Sequence, residues 1–144
     1  MLQMAYVRPA QGLSVTGVTD SGHWVMMDTK EDVGGVIGGP TPMELVLQAV
    51  MGCTMMDVVS ILEKMKVRYD LFEISETHVR SEDHPKVYTR IHLIYRFEGK
   101  ELPEEKLKKA VELSITKYCS VHAMLSKSAE VTHQIELNGK MLEG

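Results

Sequence analysis

A long apolar segment, residues 42–65, limits what this chain can fold into more than any other feature. Charged or amide side chains interrupt it, namely Glu44, Gln48, Asp57, Glu63 and Lys64. These interruptions do not fit a membrane span, so no membrane association is predicted. A helix that is apolar on nearly every side has to be covered by protein. At about 1.5 Å per residue it would be roughly 35 Å long, so we expect a second copy of the chain to help cover it.

The residues that begin this segment are typical of a helix N-terminus. Thr41 suits the capping position, Pro42 suits the first helical position, and Glu44 has the spacing of a T-x-x-E capping box. Just before them, the loop 30–40 contains two Gly-Gly pairs. The loop lacks both the G-x-x-x-x-G-K-[ST] pattern and a strand-bound G-x-G-x-x-G pattern, so phosphate binding is not predicted.

Strand-like runs lie on both sides of the helix. Residues 2–8, 13–19 and 23–28 are separated by turn signals and predict a small antiparallel meander. The predicted elements after the helix are strands 70–80 and 86–98 joined by 81–85, a helix 104–118, a short helix from about Cys119, and a strand 130–137. Together they predict an α+β fold in a single domain, residues 1–144.

Strand 86–98 has the clearest alternation of apolar and polar side chains. Its predicted core face consists of Val87, Thr89, Ile91, Leu93, Tyr95 and Phe97. The helix 104–118 is amphipathic, because Leu107, Val111 and Ile115 share one side while Lys and Glu occupy the other.

Composition excludes several classes of protein. The chain has 144 residues, of which 44% are apolar, and this suits a globular domain with a sizeable core rather than a disordered chain. A formal net charge of -4 provides no basic field for nucleic acid. Two cysteines are too few for a disulfide framework, and the first residues lack a signal-peptide pattern, so we expect a cytoplasmic protein.

The two cysteines lie in different surroundings. Cys53 is in the middle of the apolar helix, where no neighbour in sequence would activate it as a nucleophile. Cys119 lies near Lys117, Tyr118 and His122 at a predicted helix boundary. Buried packing, metal ligation and redox chemistry all remain open from these positions. A metal site would use the C-x-x-H pair Cys119 and His122, with Cys53 and another histidine, but the second clustered pair of a zinc motif is absent from the sequence, so no metal is predicted.

Two motifs identify a family resemblance. The run GGPTPMEL at 38–45, followed by Gly52-Cys53, and the run YCSVH at 118–122 resemble the OsmC/Ohr family of bacterial thiol-dependent peroxidases. The order of predicted elements is also similar to that family over essentially the whole chain. The resemblance implies an OsmC-like fold, with two antiparallel-rich sheets around long central helices, in an intertwined homodimer.

The resemblance also implies roles for both cysteines. Cys53 matches the peroxidatic position, where it would attack an organic hydroperoxide and become a sulfenic acid, and Cys119 would then condense with it to a disulfide. A dithiol reductant of unknown identity would restore the thiols. Nearby methionines would favour alkyl peroxides over hydrogen peroxide, namely Met51, Met55 and Met56. No cofactor is implied.

The segment before Cys53 departs from the better characterised branch of that family. There, a Glu directly after the helix-start proline pairs with an Arg from an N-terminal strand. Here Met43 follows Pro42 and Glu44 comes one residue later, while Arg8 is the only arginine before the helix. Glu44 and Arg8 are therefore the candidates for an activating pair. These departures are more similar to the OsmC-like branch than to the dedicated hydroperoxide resistance enzymes.

Two hypotheses of different classes follow. The first is a cytoplasmic, homodimeric peroxidase that acts on organic hydroperoxides in oxidative-stress defence. The alternative is a non-peroxidase dimer that binds a small apolar ligand at an interfacial pocket, with both cysteines serving only to pack. The distance between the sulfur atoms of Cys53 and Cys119 distinguishes them, because a disulfide cycle requires the sulfurs to meet.

Overall fold

The computed structural model describes residues 4–36 and 38–143. The chain divides into two units, one up to Gln48 and one from Ala49 onward. Positions 2 and 3 of the first expected strand, and position 37 of the glycine loop, lie outside the described residues. The expectation of a single domain over 1–144 stays a prediction.

The first unit contains a three-stranded antiparallel sheet. Its strands are β1 (Tyr6–Pro9), β2 (Val15–Val18) and β3 (Trp24–Met27), in the order β1-β2-β3. This confirms the meander predicted from the turn signals. A single 3₁₀ turn, Glu31–Val33, follows and ends at Gly34, whose φ of 101° favours glycine.

The carboxylate of Asp28 organises the loop after β3. It accepts hydrogen bonds from Ser14 Oγ at 2.5 Å and from the backbone N–H groups of Thr29, Val36 and Gly38 at 2.7 to 3.2 Å. These bonds, the one from Ser14 above all, lower the pKa of Asp28 to about 2. The backbone donors that a phosphate would need are thus partly used by this carboxylate.

Close backbone approach explains two of the loop glycines. A Cβ at Gly35 would lie 2.0 Å from the Thr29 carbonyl oxygen, and one at Gly39 would lie 2.6 Å from the Met26 carbonyl oxygen. Both distances are shorter than van der Waals contact, so no other residue fits without moving the backbone. The Gly-Gly pairs therefore serve packing of the loop against β3 and the residues that follow it.

Helix α1, Pro42–Lys64, begins as its sequence predicts. Thr41 Oγ1 accepts the Glu44 backbone N–H at 3.1 Å, which is the helix cap expected from the T-x-x-E spacing. By length and composition the helix is also apolar enough to cross a membrane. Only 28% of its most apolar 18-residue stretch is buried by the chain itself, so much of its apolar surface needs to be covered by another molecule.

The second unit contains a four-stranded sheet. Its strands are β4 (Leu71–Arg80), β5 (Tyr88–Glu98), β6 (Glu130–Leu137) and β7 (Lys140–Met141). They lie in sequence order, with β4 and β5 antiparallel, β5 and β6 parallel, and β6 and β7 antiparallel. The parallel pair requires a crossover, which the intervening helices supply.

The predicted core face of β5 is partly wrong. Its correct part is the fully buried set Ile91, Leu93, Tyr95 and Phe97. At the start of the strand, however, Val87 and Thr89 are exposed and Tyr88 is buried instead. The pairing register shifts between Val79 and Arg80, and such an irregularity reverses the facing of the residues beyond it.

The predicted helix 104–118 has two parts. The α-helical part, α2, is Glu104–Leu113, and it continues as a π-helical turn, Ser114–Tyr118. A short helix, α3, follows at Ser120–Leu125. These helices and the two sheets confirm the α+β class.

Candidate active site

Helix α1 presents Cys53 and Asp57 on one face. The residues are four positions apart, which places their side chains as neighbours on the surface of a helix. Cys53 is half-buried, as is Asp57. Thr54, between them in sequence, is fully buried.

The π-helical turn positions Cys119. Its backbone N–H donates to the Ser114 carbonyl oxygen five residues earlier, at 2.7 Å. Cys119 then forms the N-cap of α3, where its Sγ accepts the His122 backbone N–H at 3.4 Å. The thiol is 3% exposed, so it is shielded from solvent.

The second unit brings both thiols and a carboxylate together. Cys53 Sγ, Cys119 Sγ and a carboxylate oxygen of Asp57 all lie within 4.8 Å of one another. Both cysteines are free thiols. An S–S bond is about 2.05 Å long, so the two sulfurs are close enough to be joined after small side-chain movements.

A chain of hydrogen bonds leads away from Asp57. Ser114 Oγ donates to Asp57 Oδ2 at 2.9 Å, Thr54 Oγ1 lies 2.7 Å from Ser114 Oγ, and Tyr95 OH lies 2.7 Å from Thr54 Oγ1. Each hydroxyl has one proton to donate. Because Ser114 uses its proton on the carboxylate, Thr54 must donate to Ser114 and Tyr95 must donate to Thr54.

Burial raises the pKa of Cys119 and of Tyr95. The pKa of Cys119 is raised to about 11, first by burial and then by the nearby Cys53 and Asp57, while the His122 N–H partly offsets the rise. Burial likewise raises the pKa of Tyr95 to about 12. Cys119 therefore remains a neutral thiol at neutral pH, and Tyr95 remains a donor.

His122 contributes its backbone to Cys119, whereas its imidazole has a different partner. The ring Nδ1 lies 3.2 Å from Ser126 Oγ. Burial lowers the pKa of His122, and the pKa of His133 is lowered by burial and by the nearby His122 and His92. Protonation of His122 and of His133 is therefore disfavoured.

The structure brings together two of the four predicted site residues, Cys53 and Cys119. Glu44 and Arg8 lie in the first unit, and both side chains are exposed. The Arg8 guanidinium stacks over the Tyr6 ring, 4.8 Å from its centre. A supporting role for Glu44 and Arg8 in activating the thiol stays a prediction.

Asp57, Thr54, Ser114 and Tyr95 were missed by the sequence analysis as site residues. One signal for Asp57 was present, because a charged residue four positions after Cys53 in an apolar helix has to face something that tolerates it. No such signal exists for Ser114. Its place beside Asp57 depends on the π-helical turn, which a helical periodicity does not predict.

A cavity of about 550 Å³ also lies in the second unit, between α2 with its π-helical turn and β6. Ile115, Ile135 and Leu142 line it together with His133. Neither cysteine lines it, so a ligand bound there would not contact the thiols.

Comparison with known proteins gives consistent matches. A family model described as "OsmC-like protein" matches residues 33–134. Protein YhfA of Escherichia coli (strain K12) is 39% identical over 135 residues, which cover 92% of this chain and 96% of YhfA. The crystal structure of a hypothetical protein from Aquifex aeolicus VF5 is 30% identical, with a TM-score of 0.81 over 96% of this chain and 97% of that one.

A more distant likeness concerns the fold alone. An organic hydroperoxide resistance protein OsmC from Legionella pneumophila is 11% identical, with a TM-score of 0.66 over 94% of this chain and 97% of that one. Together with the matches at higher identity, this likeness confirms the OsmC-like fold predicted from the sequence motifs.

Proposed function

This chain belongs to the OsmC family, and we propose that it is a thiol-dependent peroxidase that reduces organic hydroperoxides to alcohols. The observation that carries the proposal is the approach of Cys53 Sγ and Cys119 Sγ to within 4.8 Å. Two free thiols at this separation can cycle between dithiol and disulfide with little movement. Thiols that serve only as packing are under no constraint to meet, so this distance disfavours the alternative of an inert pair.

Cys53 is the attacking thiol in this proposal. It is half-buried, whereas Cys119 is 3% exposed and has a pKa of about 11, so Cys53 meets the peroxide first. Its thiolate sulfur attacks the distal peroxide oxygen, the O–O bond breaks, and the alkoxide leaves as the alcohol after taking a proton. Cys53 becomes a sulfenic acid, oxidised by two electrons while the peroxide is reduced by two.

Cys119 then resolves the sulfenic acid. Its sulfur attacks Cys53 Sγ, the S–S bond forms, the S–O bond breaks, and hydroxide leaves as water after taking a proton. The Asp57 carboxylate, within 4.8 Å of both sulfurs, is the acceptor for the Cys119 proton.

A small dithiol reductant regenerates both thiols by exchange. The supply of such a reductant is greatest in the cytoplasm, which is the compartment we propose.

Apolar side chains around Cys53 support an organic peroxide as substrate. Met56, three positions after Cys53 on α1, is its neighbour on the helix surface and is exposed, whereas the half-buried Met51 and Met55, two positions away on either side, lie on other faces of the helix. Thioether side chains adapt to irregular apolar ligands, and they offer hydrogen peroxide no donor and only a weak acceptor. This favours alkyl hydroperoxides.

The proposal includes a homodimer. Met56 is 75% exposed and Val59 is also exposed, in the middle of the most apolar helix of the chain. A long apolar helix is stable in water only when such positions are covered. A second copy of the same chain would supply that cover.

Peroxide consumption tests the function directly. With cumene hydroperoxide and a dithiol reductant, we expect steady turnover that the Cys53→Ser variant loses completely. Cys119→Ser should form the sulfenic acid, which dimedone traps, but should not complete the cycle through a disulfide. Ser60→Ala, a change at an exposed position on α1, is the matched control. Full turnover by Cys53→Ser would contradict the proposal.

A further inference from the structure

We propose that Cys53, Cys119 and Asp57 also form a binding site for one Zn²⁺ ion, with a solvent molecule as the fourth ligand. This inference does not depend on peroxidase activity. It rests on the placement of three ligand types that zinc prefers, in a cluster whose members come from two different elements, α1 and the residue after the π-helical turn.

The distances fit a tetrahedral ion after small side-chain adjustments. The two sulfurs and the Asp57 oxygen lie within 4.8 Å of one another. With Zn–S near 2.3 Å and Zn–O near 2.0–2.2 Å, ligand atoms of a tetrahedral site lie roughly 3.5–3.8 Å apart. A contraction of about 1.3 Å or less is within the reach of side-chain rotation at fixed backbone.

The donor set selects a soft divalent ion. Two thiolates and one carboxylate carry three negative charges, two of which a divalent cation offsets. Thiolate ligands favour zinc over magnesium or calcium, which prefer oxygen alone. On binding, each thiol releases its proton to solvent, the Zn–S bonds form, and no group changes oxidation state, since zinc has no redox chemistry.

Ser114 supplies the support that a metal-binding carboxylate needs. Its hydroxyl donates to Asp57 Oδ2 at 2.9 Å, which fixes the orientation of the carboxylate beside the sulfurs. Outer-shell partners of this kind commonly matter for affinity by about 10–100-fold. Thr54 in turn holds Ser114, at 2.7 Å.

This ligand set differs from the C-x-x-H pair considered from the sequence. The ring of His122 bonds to Ser126, and its backbone N–H bonds to Cys119. Within residues 4–36 and 38–143, the group of three or more His, Cys, Asp and Glu side chains close enough to share an ion is Cys53, Asp57 and Cys119. Asp57→Asn and His122→Gln therefore separate the two possibilities.

Zinc binding would also regulate the thiols. An ion held by both sulfurs prevents their joining, so the loaded protein should form the disulfide more slowly until a chelator is added. This consequence rests on the proposed function, whereas zinc binding itself does not.

The test uses the whole reduced chain, freed of metal, titrated with Co²⁺ as a spectroscopic substitute for Zn²⁺. We expect thiolate-to-cobalt charge-transfer absorption and the visible bands of a tetrahedral ion, saturating at one ion per chain and displaced by Zn²⁺. Cys53→Ser should lose most of the charge-transfer absorption. Asp57→Asn should weaken binding by about tenfold or more. Glu63→Gln, at an exposed carboxylate near the end of α1, and His122→Gln should bind as the unaltered protein does.

A second measurement guards against misfolded variants. In the unaltered protein, Zn²⁺ should protect Cys53 from alkylation, read by mass spectrometry, whereas Cys119 is already shielded without the ion. Absence of charge-transfer absorption at saturating Co²⁺ would overturn the inference, as would unweakened binding by a folded Asp57→Asn variant. Loss of binding in a folded His122→Gln variant, or alkylation of Cys53 at the same rate with and without Zn²⁺, would overturn it as well. Peroxide turnover by the metal-free protein is measured separately, so failure of either proposal is recognised independently.

Discussion

Ser114 Oγ donates a hydrogen bond of 2.9 Å to Asp57 Oδ2, so the π-helical turn and the cysteine-bearing helix are joined at the candidate active site. Ser114 and Cys119 are also joined to each other, because the Cys119 N–H donates to the Ser114 carbonyl oxygen. Ser114 therefore positions both groups. Its hydroxyl orients the Asp57 carboxylate, and its backbone carbonyl holds the backbone of Cys119 in place.

Ser114→Ala should destabilise the protein and slow the disulfide step. The change removes the donor to Asp57 and leaves the buried Thr54 hydroxyl without its acceptor, which costs about 1–3 kcal/mol. Urea unfolding measures the loss of stability, and stopped-flow mixing with peroxide measures the rate of disulfide formation. Ser60→Ala is the matched control and should stay within about 0.5 kcal/mol of the unaltered protein. An unchanged unfolding midpoint for Ser114→Ala would contradict this assignment.

The direction of the hydrogen-bond chain predicts an order of stabilities. Tyr95→Phe removes only a donor at the end of the chain and leaves an acceptor of Thr54 unfilled. Thr54→Val leaves two buried hydroxyls without their partner, those of Tyr95 and Ser114. We expect Tyr95→Phe to cost about 0.5–1.5 kcal/mol and Thr54→Val to cost more, about 2–3 kcal/mol, by urea unfolding. The reverse order would contradict the central place of Thr54 in this chain of hydrogen bonds.

Asp28 should make the stability of the first unit depend on pH in the acid range. Its pKa falls from an ordinary 3.8 to about 2 in the folded state, chiefly through Ser14. A lowered folded-state pKa stabilises the fold above about pH 4, and that contribution is lost as the pH falls towards 2. Asp28→Asn should lower stability at pH 7 and flatten its dependence on pH between about 4 and 2, measured by thermal unfolding. Asp32→Asn, at an exposed carboxylate in the same loop, should retain the acid dependence.

Met56 provides a test of the proposed homodimer. Met56 is 75% exposed in the single chain, so Met56→Lys should change the stability very little unless a partner covers the position. We expect the substitution to shift the protein from dimer to monomer in sedimentation velocity. Met124→Lys, at a methionine 72% exposed on α3, is the matched control and should leave the dimer intact. A monomeric unaltered protein, or a dimer unaffected by Met56→Lys, would contradict the proposal.

Local sequence signals were sufficient to predict the helix cap, α1 and the antiparallel meander, and to single out the two thiols. The cap at Thr41, the course of α1 and the antiparallel meander follow from neighbouring residues, so sequence reasoning could predict them. Cys53 and Cys119 were found through the motifs around them. Their approach to within 4.8 Å agrees with the cycle that the family resemblance implied.

The rest of the site depends on contacts between residues far apart in sequence. Asp57 meets Ser114 across 57 positions, and Thr54 meets Tyr95 across 41. No periodicity within one element specifies such pairs. The register shift between Val79 and Arg80, which buries Tyr88 in place of its neighbours, is likewise a property of two paired strands rather than of either sequence alone.

The cycle between Cys53 and Cys119 is tested most directly by mass spectrometry of the reduced protein after equimolar cumene hydroperoxide. We expect digestion without reductant to yield a peptide pair joined through Cys53 and Cys119, whose sulfurs lie within 4.8 Å in the reduced state. The pair should disappear on treatment with a dithiol. Two unmodified thiols, or Cys53 oxidised to the sulfinic acid beside a free Cys119, would contradict the account.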